Sequence, residues 1–174
     1  MSITYKPGKK PHPNEHRLIF KNVDRRGWNP SIKRYLKEDG YESLKKALKM
    51  DPKDVINEVK TSGLRGRGGA GLPTGIKWGF IPPNNTKPVY LICNCDESEP
   101  GTFKDRYIVH QDPHQLIEGM VISAHAVGAH TAYIYIREEF PEAAITLEKA
   151  IQEAKDNNFL GKNILGSGFD LEIY

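Results

Sequence analysis

The sequence predicts an α/β fold, in which a Rossmann-like parallel sheet carries helices on both faces and follows a helical N-terminal segment. From about residue 88 onward, apolar patterns alternate in the order strand, helix, strand, helix, strand. That alternation favours parallel strands joined by right-handed crossovers, with the connecting helices packed on the sheet. Before residue 88, two short amphipathic segments with helix-start residues predict a pair of helices.

The bulk composition indicates one soluble, globular domain. The 174 residues are 38% hydrophobic and 27% charged, and the net charge of +3 is too small to favour nucleic-acid binding. No apolar stretch of about 20 residues predicts a transmembrane helix, so direct membrane insertion is not expected. The two cysteines, Cys93 and Cys95, are too few to ligate an iron–sulfur cluster and fit a reducing compartment.

The first 40 residues are basic and rich in proline and histidine. They have no helical or strand periodicity, which predicts an extended N-terminal arm over residues 1–40. Within that arm, residues 18–20 (L-I-F) are a candidate short strand. The remainder, residues 41–174, is predicted to form the α/β domain.

Two helices are predicted to lead into a glycine-rich stretch. Residues 41–50 form the first, and the second begins with Asp51 as N-cap and Pro52 at the first helical position. Gly63 stands where a helix-ending glycine belongs. A further helix of one to two turns is predicted from Pro73 to Phe80.

The strands and helices of the sheet follow from the apolar patterns. The continuous apolar run in residues 88–93 predicts a buried strand. Asp112 as N-cap and Pro113 at the first position start a helix that ends near Gly128. The remaining predicted elements are a strand at 131–136, a helix at 141–157 and a strand at 169–174.

Residues 62–80, S-G-L-R-G-R-G-G-A-G-L-P-T-G-I-K-W-G-F, contain seven glycines and three basic side chains. Backbone N–H groups in such a loop can form an anion-binding nest, with Arg or Lys as charge partners. Gly66, Gly68 and Gly71 fit the spacing G-x-G-x-x-G, but a helix precedes them where the dinucleotide fingerprint needs a strand. A P-loop is excluded because no G-K-[S/T] closes the run. A flexible linker is the alternative, although the apolar residues in the stretch favour a packed loop.

An acidic loop follows the first predicted strand. Residues 94–106, N-C-D-E-S-E-P-G-T-F-K-D-R, bring four carboxylates close together. In open parallel sheets, ligands bind beyond the carboxyl ends of the strands. The glycine stretch could fold over the same crevice, so the two segments together predict a ligand site.

Together the motifs at 63–80 and 94–106 closely resemble those of the flavoprotein subunit of respiratory NADH:quinone oxidoreductase (complex I). The same module occurs in the diaphorase subunits of NAD-reducing hydrogenases and NAD-dependent formate dehydrogenases. The resemblance runs from about residue 40 to the end. It implies an NADH dehydrogenase module in which FMN accepts a hydride from NADH and passes electrons to iron–sulfur clusters and on to quinone.

The resemblance also implies roles for individual residues. It places FMN contacts on the glycine loop, on one lysine after it and on the acidic loop: Gly66, Arg67, Gly68, Lys77, Asn94, Asp96, Glu97 and Ser98. For NADH, it places Phe80 beside the adenine and Glu99 near the adenosine ribose. Leu72 stands where the family has a second aromatic residue, which weakens the expectation of stacking there. No catalytic acid, base or metal ligand is implied, because hydride transfer between the two rings needs none.

The resemblance implies an incomplete domain. The family continues with a further flavin/NADH loop, a ubiquitin-like domain and a helical bundle that holds a [4Fe–4S] cluster, and the ligands of that cluster are absent here. The implied partners are the [2Fe–2S] subunit and the large iron–sulfur subunit of the same complex. The implied location is peripheral, on the cytoplasmic side of the inner membrane, or on the matrix side in a mitochondrion. A diaphorase subunit, or a non-catalytic fragment that needs a partner chain, are the alternatives.

Overall fold

The computed structural model of the protein describes residues 13–14, 16–82 and 84–174. Seven α-helices, one 3-10 turn and three strands appear in the described part of the chain. In chain order they are α1 Ile32–Leu36, α2 Glu42–Ala47, α3 Pro52–Thr61, α4 Thr74–Trp78, β1 Tyr90–Cys95, α5 Lys104–Gln111, α6 Pro113–Val127, β2 Thr131–Ile136, α7 Pro141–Asp156, the 3-10 turn Ile164–Gly166 and β3 Glu172–Ile173.

The sheet confirms the predicted α/β class and its parallel strands. The strand order is β1-β2-β3, and the register pairs Tyr90 with Thr131 and Cys95 with Ile136. β3 continues the sheet in parallel beside Thr131 and Ala132. Each parallel step crosses through a helix, first α6 and then α7, as the alternation predicts.

The described helices α6 and α7 both lie on one face of the sheet, whereas the sequence predicts helices on both faces. Ile117 of α6 and Ala150 of α7 share one buried cluster with Ala132 of β2. Two crossovers of the same hand that move in the same direction along a sheet fall on the same side. Because side chains alternate along a strand, Ile92 and Tyr135 point away from these helices and are 66% and 62% exposed.

The N-terminal segment differs from the predicted extended arm. Residues 16–40 form a series of turns followed by α1, and residues 18–20 lie in a turn rather than a strand. Ser31 caps α1 by accepting a hydrogen bond from the Arg34 amide. Ile32 and Tyr35, three residues apart on one helical face, are buried in the main cluster. Residues 1–12 of the predicted arm lie outside the described residues.

A buried polar network fixes α1 and α2 on the sheet helices. The carboxylate of Glu118 in α6 accepts hydrogen bonds from the Tyr35 hydroxyl and from the amides of Tyr41 and Leu44. His114 bridges the Tyr41 hydroxyl at 2.9 Å and the Glu153 carboxylate at 3.0 Å. Burial lowers the pKa of His114, although Glu153 opposes that shift. The helical layer therefore forms part of one core with the sheet.

Some boundaries differ from the predicted ones for identifiable reasons. Asp51 does cap α3 through the Lys53 amide, and Gly128 ends α6 in the left-handed conformation. The Asp112 side chain, by contrast, makes no cap hydrogen bond; it accepts one from Asn22 at 3.2 Å instead. β1 extends two residues beyond its predicted end at residue 93, and β3 is shorter than the predicted strand at 169–174. α5 has no counterpart among the predicted elements. No helix in the described residues is long and apolar enough to cross a membrane.

Candidate functional site

The glycine loop (residues 62–72) and the acidic loop (residues 94–106) meet at one cavity of about 560 Å³ at the carboxyl end of β1. Its size lies in the range of small-molecule sites. The lining residues come from both loops and from the start of α5: Arg67, Gly68, Gly69, Asn94, Asp96, Glu97, Ser98, Glu99, Thr102, Lys104 and Asp105. The structure thus places the two sequence motifs where a single ligand can contact both.

The glycine loop is a narrow, exposed turn between α3 and α4. The Gly66 amide donates to the Leu72 carbonyl at 2.9 Å, and the Thr74 amide donates to the Leu64 carbonyl at 2.8 Å. Across the described residues, the amides of residues 67–71 donate to no other main-chain carbonyl. A Cβ built on Gly68 would meet no heavy atom within 4 Å. The tip of the loop therefore offers main-chain donors and open space to a ligand.

The acidic loop is organised by its own side chains. The Asp96 amide donates to the Asn94 side-chain oxygen at 3.0 Å, and the Ser98 hydroxyl donates to the Asp96 carboxylate at 2.7 Å. The Thr102 hydroxyl donates to the Glu99 carbonyl at 2.6 Å. These short-range bonds are typical of Asx and Ser/Thr turns, and they fix the chain direction directly after β1.

Glu97 is the buried member of this loop, with 3% of its surface exposed. Its carboxylate accepts hydrogen bonds from the Asp105 amide at 2.8 Å, the Arg106 amide at 3.2 Å and the Arg106 guanidinium at 2.8 Å. Burial alone raises the pKa of Glu97, but these hydrogen bonds outweigh it and lower the pKa below its usual range. Glu97 is therefore an ionised cap for the first turn of α5.

Four of the predicted site residues do not line the cavity. Gly66 lies at the base of the glycine loop, and Lys77 lies on α4 with its side chain exposed. Phe80, just beyond α4, is 66% exposed, and Leu72 is 41% exposed. Their roles toward FMN and NADH stay predictions. Four cavity residues were not among the predicted site residues, namely Gly69, Thr102, Lys104 and Asp105. Three of these four lie at or just before α5, a helix that the sequence did not predict.

A second cavity of about 610 Å³ is lined in part by residues of the segment 101–107. It is lined by aromatic side chains such as Phe20 and Tyr107, and it shares Thr102 and Lys104 with the first cavity. It contains no part of the glycine loop, so we place the candidate site in the cavity that joins the two motifs. Among the described residues, no cluster of three or more His, Cys, Asp or Glu side chains is suited to a metal ion.

Comparison with known proteins identifies the family. The family model described as the Nuo51 FMN-binding domain matches residues 59–173, which include both loops and all three strands. The chain belongs to this family. The Nuo51 FMN-binding domain therefore accounts for the part of the chain that forms the cavity, from the last turn of α3 through β3.

Relatives of this chain have consistent names. The chain is 62% identical over 144 residues to an NADH-quinone oxidoreductase subunit of Aquifex aeolicus, covering 83% of this chain and 34% of the relative. It is 50% identical over 142 residues to the subunit of the same name in Escherichia coli, covering 80% of this chain and 32% of that one. The chain thus spans about a third of the length of these relatives.

A solved structure shares the fold. A chain of the NAD⁺-reducing [NiFe]-hydrogenase in its H2-reduced state matches with a TM-score of 0.65 and 36% sequence identity. The match covers 84% of this chain and 25% of the hydrogenase chain. The described fold is therefore similar to part of a larger, NAD-linked redox protein.

Proposed function

We propose that this chain forms one side of an FMN- and NADH-binding site in an NADH dehydrogenase of the NADH:quinone oxidoreductase type. The observation that carries the proposal is the cavity shared by the glycine loop and the acidic loop, both within the part of the chain that matches the Nuo51 FMN-binding domain. The G-x-G-x-x-G spacing alone is a weak indication of a nucleotide site, and it is stronger when the acidic loop lines the same cavity.

The chemistry of the lining fits a flavin mononucleotide. The Arg67 guanidinium suits the phosphate, whereas the Lys104 ammonium is paired with the Asp105 carboxylate. The amides of residues 67–71, which donate to no main-chain carbonyl of the described residues, suit the phosphate oxygens. Asn94 and Asp96 offer amide and carboxylate groups to the hydroxyls of the ribityl chain. The open space above Gly68 lets a planar ring approach the main chain.

Residues outside the cavity complete the proposed contacts. Lys77 would reach the flavin phosphate or ring region, with Gly66 at the base of the same loop. Phe80 offers an exposed aromatic surface to the NADH adenine, and its exposure in this structure is consistent with such a contact. Leu72 would lie beside it without stacking. Glu99 would accept a hydrogen bond from the adenosine ribose and disfavour a 2′-phosphate by charge.

When bound, FMN supplies the redox chemistry by accepting a hydride from NADH. The residues of this chain bind the two molecules and hold their rings in contact. This orientation of the two rings increases the rate of hydride transfer. The carboxylates of Asp96 and Glu99 place negative charge near the dinucleotide phosphates and would speed product release. Glu97 contributes less to this field, because the Arg106 guanidinium pairs with it.

Quinone as the final acceptor, and the partners that lead to it, are inferred from the relatives. Their names indicate subunits of an NADH-quinone oxidoreductase, so we propose a [2Fe–2S] subunit and a large iron–sulfur subunit as partners. The proposed location is the cytoplasmic side of the inner membrane, or the matrix side in a mitochondrion. The hydrogenase match favours a second candidate, the diaphorase subunit of an NAD-reducing hydrogenase.

Flavin content and NADH oxidation test the proposal directly. The chain is purified alone and after co-production with a polypeptide corresponding to the remaining length of one of the NADH-quinone oxidoreductase relatives. Flavin absorbance and NADH:ferricyanide activity are then recorded for both preparations. We expect flavin in at least the second preparation, with activity that follows flavin content. Absence of flavin from both preparations, even after incubation with FMN, would overturn the proposal.

A further inference from the structure

We propose that Arg106 and Arg137 are positioning residues for the acidic loop. Both bind Glu97 and thereby fix the neighbouring loop residues that line the ligand cavity. The inference rests on the proposed function for its effect on FMN. Arg106 belongs to α5, and Arg137 directly follows β2. Neither side chain is among the described residues that line the ligand cavity.

The two arginines attach to different atoms of Glu97. The Arg106 guanidinium donates to the carboxylate at 2.8 Å, and the Arg137 guanidinium donates to the main-chain carbonyl at 3.3 Å. The first bond fixes the side chain, and the second fixes the peptide between Glu97 and Ser98. The flanking residues Asp96 and Ser98 line the cavity, so the orientation of that peptide sets where their side chains point.

A single aromatic ring links the two arginines. The guanidinium carbons of Arg106 and Arg137 lie over the ring of Phe140 at 4.5 and 5.5 Å from its centroid. Cations at this distance are attracted by the ring, and the planar groups pack well on it. Phe140 directly precedes α7, so the contact ties the loop after β1 to the loop after β2 and to the next helix. We name Arg106, Arg137 and Phe140 the rear brace.

Arg137 is itself held in place. Its guanidinium donates to both carboxylate oxygens of Glu139, at 3.0 and 2.6 Å. Hydrogen bonding to Arg137 lowers the pKa of Glu139 to about 2, so the pair stays charged at neutral pH. A bidentate pair through Nε and Nη2 restrains the orientation of the guanidinium, and it leaves Nη1 to donate to the Glu97 carbonyl. Lysine cannot reproduce this fork geometry.

The test compares loop dynamics with flavin binding, in whichever preparation binds FMN, the chain alone or the chain co-produced with the remaining length of the family protein. Arg137→Met and Arg106→Met each remove one arm of the rear brace, and Arg137→Lys keeps the charge without the fork. Lys46→Met is the matched control, because it removes an exposed ion pair with Glu58 that lies away from the loop. Amide hydrogen exchange is measured without ligand, and the FMN dissociation constant is measured by fluorescence quenching.

We expect Arg137→Met to raise amide exchange at residues 96–99 and to weaken FMN binding about tenfold, as loss of a charged hydrogen bond allows. Exchange within β1 and β2 should stay unchanged. Arg106→Met should also raise exchange at the amides of Asp105 and Arg106, since it loosens the Glu97 carboxylate. Arg137→Lys should recover part of the FMN affinity, and Lys46→Met should match the wild type in both measurements.

Three results would overturn the inference. One is unchanged exchange at residues 96–99 in Arg137→Met. Another is an equal rise throughout β2 and α7, which indicates general destabilisation. The third is faster loop exchange with wild-type FMN affinity, which removes any positioning role. A wild-type chain that binds no FMN even with the remaining length of the family protein contradicts the proposed function instead. The ligand-free exchange data still test the rear brace in that case.

Discussion

The glycine loop and the acidic loop form two walls of the candidate site, and they are stabilised in opposite ways. Every residue from 62 to 70 in the glycine loop is exposed, and three cross-loop hydrogen bonds hold it, including one from the Arg65 side chain to the Gly71 carbonyl at 2.6 Å. The acidic loop instead has a buried glutamate at its centre that accepts three hydrogen bonds. The acidic loop is fixed by buried contacts before any ligand arrives, whereas in the glycine loop the amides of residues 67–71 donate to no main-chain carbonyl of the described residues.

Because of this difference, the two loops lose different amounts of conformational entropy when a ligand binds. A fixed wall loses little conformational freedom when a ligand docks, so its contacts contribute fully to affinity. An exposed, glycine-rich wall keeps more main-chain freedom at its tip, which costs more entropy on binding but lets the main chain adapt to the ligand. The buried contacts of the acidic loop fix its side of the cavity, and the tip of the glycine loop offers main-chain donors on the other. Substitutions in the two walls should therefore separate stability from affinity.

Glu97→Ala should have the largest effect, because it removes the centre of the fixed wall. The amides of Asp105 and Arg106 lose their acceptor, and the Arg106 guanidinium loses its ion pair. We expect a loss of about 2–3 kcal/mol in the free energy of unfolding, measured by urea denaturation. FMN affinity should fall below detection, since the loop loses its conformation.

Glu99→Ala is the matched control for that experiment. Glu99 lies two residues away in the same loop, and its side chain is exposed. Its removal should change the free energy of unfolding by less than about 0.5 kcal/mol. Equal destabilisation by the two substitutions would contradict the description of the acidic loop as a wall fixed by Glu97.

Gly75→Ala should have the next largest effect, because Gly75 lies in α4, one of the two helices that flank the glycine loop. A Cβ at Gly75 would lie 2.6 Å from both the Cγ and the main-chain nitrogen of Lys60, which forces α4 away from α3. Overpacking of this kind costs about 1–3 kcal/mol. We expect lower thermal stability and weaker FMN binding, because the glycine loop is suspended between these two helices.

Gly119→Ala provides the comparison for Gly75→Ala. Gly119 lies within α6, is exposed, and would place its Cβ at least 4 Å from other atoms. Alanine favours a helix over glycine by about 0.8–1.0 kcal/mol, so this variant should be more stable than the wild type. If Gly75→Ala were equally stabilising, the close contact between α3 and α4 would be wrong.

Asp112, between α5 and α6, predicts a pH effect on stability. Burial raises the pKa of Asp112 to about 6, although a hydrogen bond from Asn22 and the charge of Lys21 oppose the shift. One oxygen each of Asp112 and Asn22 is buried without a partner among the described atoms, which disfavours the ionised form of the carboxyl. Because the folded pKa lies above the unfolded value, stability is present at low pH and is lost as pH rises through about 6.

The measurement compares wild type with Asp112→Asn at about pH 4.5 and about pH 7.5. The wild type should lose about 1–2 kcal/mol of unfolding free energy across this interval that the variant does not lose. Only the difference between the two proteins is diagnostic, since other ionisable groups also titrate in this interval. Parallel pH profiles for the two proteins would show that Asp112 is ionised in the fold.

The sequence predicted the elements whose determinants are local and missed those whose determinants are distant. α6 and α3 carry their own proline and glycine boundaries, so both were found. α5 begins where Glu97, seven residues before its first residue, accepts hydrogen bonds from its first-turn amides. Nothing in the local pattern of residues 104–111 reveals that partner. Asp112 stands at the position of an N-cap before Pro113, yet its carboxylate accepts a hydrogen bond from the Asn22 side chain, 90 residues away in the sequence.

The candidate site shows the same division. The meeting of the two loops was predictable, because ligands in parallel sheets bind at the carboxyl ends of strands and the acidic loop follows one. Thr102, Lys104 and Asp105 could not be predicted, because only α5 places them at the cavity. The exposed face of the sheet was also missed, since apolar residues such as Ile92 and Tyr135 indicate burial in any pattern analysis.

Gly68→Ala should have the smallest effect on stability and therefore gives the sharpest test of the open wall. The added Cβ meets nothing within 4 Å in the free chain, so the unfolding free energy should change by less than about 0.5 kcal/mol. The same methyl group enters the cavity, where it should weaken FMN binding about tenfold by blocking close approach to the main chain. Gly66→Ala is the comparison at the base of the loop, where the Cβ would face the Leu72 carbonyl at 3.7 Å outside the cavity lining. A larger loss of affinity for Gly66→Ala than for Gly68→Ala in fluorescence titration would move the contact to the base of the loop and contradict this account of its tip.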